Sequence, residues 1–472
     1  MGANIKKKKN YKRIMKHKIF RIRNIFSLLM VIITLVFLIY LYNLNILPNK
    51  YLLLITVIII ISNILSIIFI NVHKKIWLKI IGYIIMTCIM IITSLGIFYL
   101  SSTNNFIKKS FDKKITYDKN TYYVVSLKSN NLKQQDIKGE IGTYKESVNL
   151  DKAIKKLNDK YSVKNKSYDD IGLLFDNLVN NTDKFILIEK SSYEIVLSIN
   201  QNISKSDFDI LYEFDIYTKK SNNNMNKDKF NIYIGGKDDA LLMDFNMIVT
   251  INMDTHTILL TSIPRDYYIE VYGKDGRYDK LSFMAIYGND VNKESLAMLF
   301  DTKIDYSVIV NTESLVQIVD YLDGIEFCSD YDVWLGKFHL VKGCQTLNGE
   351  QALRLARERN AFPGRDRVRQ ENCRQIILSI FKKMASTNTI LHYNETLNNL
   401  SSSYATDIPK EVISSFVKEY LNDSNAWKIE EQAVDGTDGH DKVHLSNMID
   451  WVMYPNTNTV DQAKIKIKET LE

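Results

Sequence analysis

The chain has 472 residues, enough for two or three domains, with 46% hydrophobic residues, a formal charge of +7 and four cysteines. Charge is unevenly placed: residues 1–100 hold fourteen Lys or Arg and no Asp or Glu, which leaves residues 101–472 at a net −7. Such a division argues against nucleic acid as a partner, because no recognised binding module accompanies the basic residues, and a basic segment beside an apolar run is a topology signal with affinity for anionic lipid.

Three uncharged apolar runs, at 25–42, 51–72 and 80–100, are each long enough to cross a hydrocarbon core of about 30 Å as a helix. A cleavable signal peptide has one short apolar region, so three full runs predict a permanent anchor. Ten Lys or Arg precede the first run, and Lys74, Lys75 and Lys79 lie between the second and third, whereas the first connection holds only Lys50. Lys and Arg concentrate in cytoplasmic segments, so the expected arrangement is a basic cytoplasmic tail at 1–24, three transmembrane helices over 25–100 and an extracytoplasmic remainder in a cell membrane.

Beyond the spans, 101–218 reads as a small α/β accessory domain, with strands at 122–127, 185–189 and 193–199 and amphipathic helices at 153–161 and 171–179. The polar stretch 219–229 has almost nothing to bury and reads as a linker. From 230 to 472 short strands (231–234, 247–253, 258–263, 427–434) alternate with helices near 291–300, 312–322, 349–359 and 366–386. A Gly-rich loop at 436–439 and a last helix from about Val460 follow. That alternation predicts an α/β fold with a mixed central sheet flanked by helices.

Three spacings carry chemistry. Reflection about the turn at Asp254-Thr255 sets Asp244 opposite Arg265, just past Pro264, with Asp238 arriving at the end of the neighbouring strand. The same spacing suits a structural salt bridge. Arg357 and Arg359 are two apart and converge only if the helix ends there, which Pro363-Gly364 favours; Asn348 and Gln351 form a capping box at its start. A solvated charged helix end is the other reading. In the next helix, positions 366, 369, 373, 376, 380 and 384 form one stripe reading Asp, Arg, Cys, Ile, Ile, Met, so Asp366 and Arg369 share the core-facing side, where an unpaired charge is costly. Four arginines, three aspartates and no nucleophile elbow, P-loop or metalloprotease motif suit phosphoryl transfer, with guanidinium groups on phosphate oxygens and carboxylates on a divalent cation.

The run 261–266 (Thr-Ser-Ile-Pro-Arg-Asp), the preceding Asp244, the segment 279–282 (Asp-Lys-Leu-Ser), the stretch 347–353 (Leu-Asn-Gly-Glu-Gln-Ala-Leu), and Arg357-x-Arg359 followed by Asp366-x-x-Arg369 resemble the LytR-CpsA-Psr family over 228–472. The spans and accessory domain resemble its capsule-associated branch. The resemblance implies a phosphotransferase that moves a glycopolymer, a teichoic acid or capsular polysaccharide, from a polyprenyl-pyrophosphate carrier in the membrane to a peptidoglycan hydroxyl. It further implies Mg²⁺ or Mn²⁺ at Asp238 and Asp244, phosphate contacts from Arg265, Lys280, Arg357, Arg359, Arg369 and Asn372, and a catalytic set of Arg265, Arg357, Arg359 and Asp366. Three positions depart from the family pattern: Leu242 replaces an arginine, Phe283 a histidine and Cys373 a glutamine. A phosphatase with water as acceptor and a non-catalytic regulator that binds polyprenyl phosphate are the alternative readings.

Of the cysteines, Cys88 falls in the third span, and reflection about Gly336 pairs Cys328 with Cys344 across a hairpin. A Cys328–Cys344 disulfide is expected, with Cys373 free and facing the phosphate site.

Overall fold

The computed structural model describes residues 2–71, 75–111, 116–200, 202–220, 228–238, 242–274, 276–288, 290–364, 366–384, 404–423, 426–444 and 449–472, without the side chains of 2–22, 111, 116–118, 199, 219–220, 366 and 384. The chain divides into two compact units, one of Met1–Lys109 with Ile413–Asn425 and one of Ser110–Val412 with Ala426–Glu472.

The first unit holds α1 (Gly2–Leu44), α2 (Asn49–Asn71) and α3 (Ile76–Phe111). The apolar parts of all three, from Arg23 in α1 onward, are long and apolar enough to cross a membrane. Their outward faces are aliphatic, as at Ile39, Leu53 and Ile92, while Met30, Ile70 and Met86 pack between them. Small residues let the helices approach: a Cβ on Gly96 would meet the Phe37 ring at 2.4 Å.

In the second unit the accessory sheet contains β1 (Thr116–Leu127), β2 (Gly139–Tyr144), β3 (Val163–Tyr168), β4 (Ile186–Glu189) and β5 (Phe208–Lys220), in the order β3-β2-β4-β1-β5. It carries helices α4 (Leu150–Asn158), α5 (Ile171–Val179) and α6 (Lys190–Ile199). The strand expected at 193–199 is therefore the helix α6. Its β-branched residues suggest a strand, yet Ser192, Tyr193, Ile195 and Val196 are buried together, the three-to-four spacing of a helix face, and packing overrides local propensity.

The second sheet is built from β6 (Lys229–Lys237), β7 (Met243–Asn252), β8 (Thr257–Ile263), β11 (Tyr306–Asn311), β16 (Tyr404–Thr406) and β17 (Lys428–Ala433), ordered β16-β11-β6-β7-β8-β17. It is mixed, as expected: β6 is parallel to β11 and antiparallel to β7, and β8 is antiparallel to β7 and parallel to β17. Between them in sequence lie β9 (Tyr268–Glu270), β10 (Tyr278–Lys280), α7 (Val291–Leu299), α8 (Thr312–Tyr321), β12 (Ile325–Ser329), β13 (Val333–Leu335), β14 (Phe338–Leu340), β15 (Gly343–Leu347), α9 (Gly349–Arg357) and α10 (Asp366–Met384). The chain ends with α11 (Lys410–Asn422), β18 (Gly436–Lys442), β19 (Ile449–Pro455) and α12 (Thr457–Leu471). The Gly-rich stretch at 436–439 is thus the start of β18. Its glycines serve the close approach of β19, since a Cβ on Gly436 would meet the Tyr454 carbonyl oxygen at 2.5 Å.

One buried cluster joins the two sheets. Tyr144, Tyr168, Phe175 and Tyr193 of the accessory part pack with Leu242, Phe283, Ile286, Val443 and Val452 of the second. Of the expected linker at 219–229, the strand residues 219–220 and 229 continue β5 and β6, and 221–227 lie outside the described residues.

Candidate active site

The β7–β8 register pairs Asn246 with Ile263, and continuing it by two residues sets Asp244 opposite Arg265. The ion pair forms: Arg265 Nη1 donates to Asp244 Oδ1, and its Nε donates to the buried Asp266 at 3.4 Å. Burial pulls the Arg265 guanidinium below its ordinary value, Asp266 opposes this, and Arg359 and Arg369 push it further down. These arginines therefore feel one another's charge.

Helix α9 begins with the expected capping box, Asn348 Oδ1 accepting from the Gln351 N–H and Gln351 Oε1 from the Asn348 N–H. It stops at Arg357 because Glu358 is extended (φ −76°, ψ 123°), so Arg357 is its last residue and Arg359 lies beyond the regular helix. Gly349 lets α9 close on α8, because a Cβ would meet the Val316 carbonyl oxygen at 2.3 Å. Arg357 Nη2 donates to Thr312 Oγ1 at 2.8 Å, at the start of α8.

Between the C-terminal ends of the parallel strands β6 and β11 and helices α8, α9 and α10 lies a cavity of about 100 Å³. Its polar wall is Lys237, Asp238, Asp244, Arg357 and Arg369, and its apolar wall includes Phe245, Leu315, Leu353, Ile376 and Ile377. Arg369 is 3% exposed, and its Nη1 donates to the Asp244 carbonyl oxygen at 2.9 Å. Arg369, Cys373 and Ile376 all line the cavity, so the middle of the stripe read along α10 faces it. Asp238 Oδ1 accepts from the Leu242 N–H at 2.8 Å.

The remaining predicted residues are placed as follows. Asn372 is buried, and its Nδ2 has no hydrogen-bond partner among the described residues. Lys280 does not line the cavity: its Nζ donates to Asp450 Oδ2 at 2.5 Å and lies 5.1 Å from the centre of the Phe283 ring. The side chain of Asp366 lies outside the described residues. Cys328 pairs with Cys344 across β12 and β15 and forms the expected disulfide, while Cys88 and Cys373 are free thiols.

Sequence reasoning missed Lys237. The available signal was a charged residue ending the otherwise uncharged stretch 230–236, one position before Asp238. Two of the three departures from the family pattern also find their reason here. Leu242 and Phe283 both belong to the cluster that packs the accessory sheet against the second sheet, so apolar residues stand where contact with the accessory part demands them. Cys373 donates its thiol to the Ala356 carbonyl oxygen at 3.4 Å, beside the end of α9.

Residues 194–469 match the LytR_cpsA_psr family, "LytR_cpsA_psr family" being its description, over more than half of the chain. The chain belongs to that family. The matched region starts within α6, earlier than the motifs alone indicate. Among its relatives is a protein of Bacillus subtilis strain 168 named polyisoprenyl-teichoic acid–peptidoglycan teichoic acid transferase TagU, 30% identical over 257 residues, covering 52% of this chain and 79% of the relative. The protein of the same name from Bacillus mycoides is 30% identical over 188 residues, covering 40% of this chain and 60% of the relative. The chain thus spans about 60% of that relative's length. A crystal structure of B. subtilis TagU is 27% identical with a TM-score of 0.42, covering 52% of this chain and 98% of that one.

Proposed function

We propose that this LytR_cpsA_psr protein is a phosphotransferase that moves a glycopolymer of the teichoic acid or capsular polysaccharide type from a polyprenyl-pyrophosphate carrier to a peptidoglycan hydroxyl. The observation that carries the reading is the two-sided cavity, where guanidinium groups of Arg357 and Arg369, backed by Arg265, face an apolar wall from α8, α9 and α10. Such a wall suits a polyprenyl chain, and such a cluster of like charges calls for a polyanion. The names of the teichoic acid transferases among the relatives point to the same chemistry.

In this scheme the acceptor oxygen bonds to the phosphorus that carries the polymer. The bond from that phosphorus to the bridging oxygen breaks, polyprenyl phosphate leaves with the electron pair, and the hydroxyl proton is released. Arg265, Arg357, Arg359 and Arg369 hold the phosphate oxygens where charge accumulates. Asn372, whose buried amide nitrogen has no partner among the described residues, adds a donor, and Lys280 acts through its pairing with Asp450. Asp238 and Asp244, two hard carboxylate donors on one cavity wall, would hold Mg²⁺ or Mn²⁺, which when bound neutralises phosphate charge. Asp366 completes the catalytic set at the start of α10.

The three apolar helices act as membrane spans in this proposal, with the basic segments cytoplasmic and both sheets outside, where the Cys328–Cys344 disulfide persists. The test is reconstitution of the detergent-solubilised chain with a polyprenyl-pyrophosphate-linked polymer and peptidoglycan. Polymer attachment with release of polyprenyl phosphate is expected; hydrolysis of the carrier without attachment would overturn the transferase in favour of a phosphatase.

A further inference from the structure

The short hairpin of β13 and β14 turns through Gly336 (φ +69°) and sorts its residues by face. Leu335 and Leu340 are buried, while the cross-strand pair Trp334–His339 stands on the other side. Trp334 is 66% exposed, and no other tryptophan among the described residues of the second unit is exposed. The His339 imidazole lies flat on one face of the indole, with ring centres 4.4 Å apart and planes 5° from parallel, and its Nε2 donates to Asp332 Oδ1 at 2.8 Å. One face of the indole is thus backed by a ring that is itself held, and the other is open.

The hairpin is fastened to the segments that carry Arg357 and Arg359. The Arg354 guanidinium lies against its turn, since a Cβ on Gly336 would meet Arg354 Nη2 at 2.6 Å, and Arg354 stands one turn before Arg357 in α9. Tyr331, just before β13, packs edge-on against Phe362, with ring centres 5.3 Å apart, in the stretch that follows Arg359. A flat, backed aromatic face beside a solvated carboxylate suits a saccharide. One side of a pyranose ring presents C–H groups of slight positive charge, which stack on the electron-rich indole, and its rim presents hydroxyl and amide donors, which the 63% exposed Asp332 side chain can accept. Charge selects the kind of saccharide. Residues 330–342 hold Asp330 and Asp332 against Lys337 and Lys342, and Arg354 at the turn adds one cation, whereas a teichoic chain charged at every repeat calls for a larger excess. An uncharged strand of N-acetylhexosamines, the glycan of peptidoglycan, matches this face.

We propose that Trp334, backed by His339 and flanked by Asp332, is a glycan-stacking subsite for the peptidoglycan acceptor. This subsite rests on the transferase reading above and gives the acceptor strand a place to bind. Its test uses the full detergent-purified chain, titrated calorimetrically with chitotetraose as the uncharged N-acetylglucosamine probe and with polyglycerol phosphate as the anionic one, alongside the transfer assay. Trp334→Ala weakens chitotetraose binding about tenfold or more, while Trp334→Tyr stays within roughly threefold of the parent, because a smaller aromatic ring still offers a face. Trp334→Ala also raises KM for peptidoglycan about tenfold and leaves KM for the lipid-linked polymer at the parental value, which separates loss of the glycan contact from loss of fold. Equal chitotetraose affinity in Trp334→Ala and parent, or no chitotetraose binding by the parent, overturns the subsite. Polyglycerol phosphate binding that is lost in Trp334→Ala overturns it as well, by placing the polymer on this face. A parent that binds chitotetraose through Trp334 yet attaches no polymer overturns the transferase reading and leaves the glycan site standing.

Discussion

At the scale of single residues, the arginines at the cavity and behind it feel one another's charge. Arg265 is pressed from two sides, by burial and by Arg359 and Arg369, and Asp244 and Asp266 keep it in place. Removing any one of Arg265, Arg357 or Arg359 by substitution with alanine is expected to lower polymer attachment about 100-fold or more, the usual cost of a lost electrostatic donor at a reacting phosphate. Thermal melting should change little; attachment at the parental rate in any two variants would sink the phosphate assignment. Asp244→Ala acts differently, because it removes one candidate metal ligand and the partner of Arg265 together. It is expected to raise the Mg²⁺ concentration needed for half-maximal activity by roughly tenfold, measured by metal titration of the transfer assay.

At the scale of elements, local chemistry positions the site with unusual economy. The β7–β8 hairpin places Asp244 against Arg265 through register alone, and α9 is delimited by a cap at Asn348 and a turn to extended backbone at Glu358. Both were legible in the sequence because reflection about a tight turn and a capping box are short-range rules. The hairpin clasp at Cys328–Cys344 was legible for the same reason. It closes a segment with a sequence separation of 16, so replacing both cysteines with serine is expected to lower stability by about 3 kcal/mol on the loop-entropy estimate. Chemical denaturation of the two proteins under non-reducing conditions checks this; equal midpoints would show the bridge to be dispensable. The misread α6 marks the boundary of such rules, since β-branched residues locally favour a strand and only the neighbouring sheet reveals which face they bury.

At the scale of the whole second unit, the two sheets share a core, and that core explains residues that looked like defects. Leu242 and Phe283 are buried between them. Restoring the family pattern with Leu242→Arg or Phe283→His should therefore destabilise the protein, by about 2–4 kcal/mol, because a polar group enters an apolar cluster without a partner. Limited proteolysis and melting report it; a more active and equally stable variant would refute the packing role. Glu189 supplies a pH signature of the same junction. Burial pushes its carboxyl up to about 7 from 4.5, against the opposing Asn120 hydrogen bond and the charge of Lys237. A raised folded-state value means that the folded chain holds this proton more tightly, so the contribution to stability is complete below about pH 4.5 and is lost as pH rises through about 7. Relative to Glu189→Gln, the parent is expected to lose on the order of 3 kcal/mol across that window and to stay level above it, as read from denaturation curves at several pH values. A difference that is flat with pH would show the carboxyl to be ionised throughout.

The sequence by itself determined the three apolar helices, the mixed α/β architecture, the Asp244–Arg265 pair, the arginines at the end of α9, the core-facing stripe of α10 and the cysteine pairing. Each depends on a period, a turn or a cap within a short stretch of chain, where backbone geometry leaves few alternatives. Tertiary structure alone decided that Lys280 pairs with Asp450, that Lys237 joins the cavity, that 193–199 is helical and that Leu242 and Phe283 serve the accessory sheet. The physical reason is common to all four: each depends on what a side chain meets from an element distant in sequence, and neither pattern nor propensity encodes that meeting.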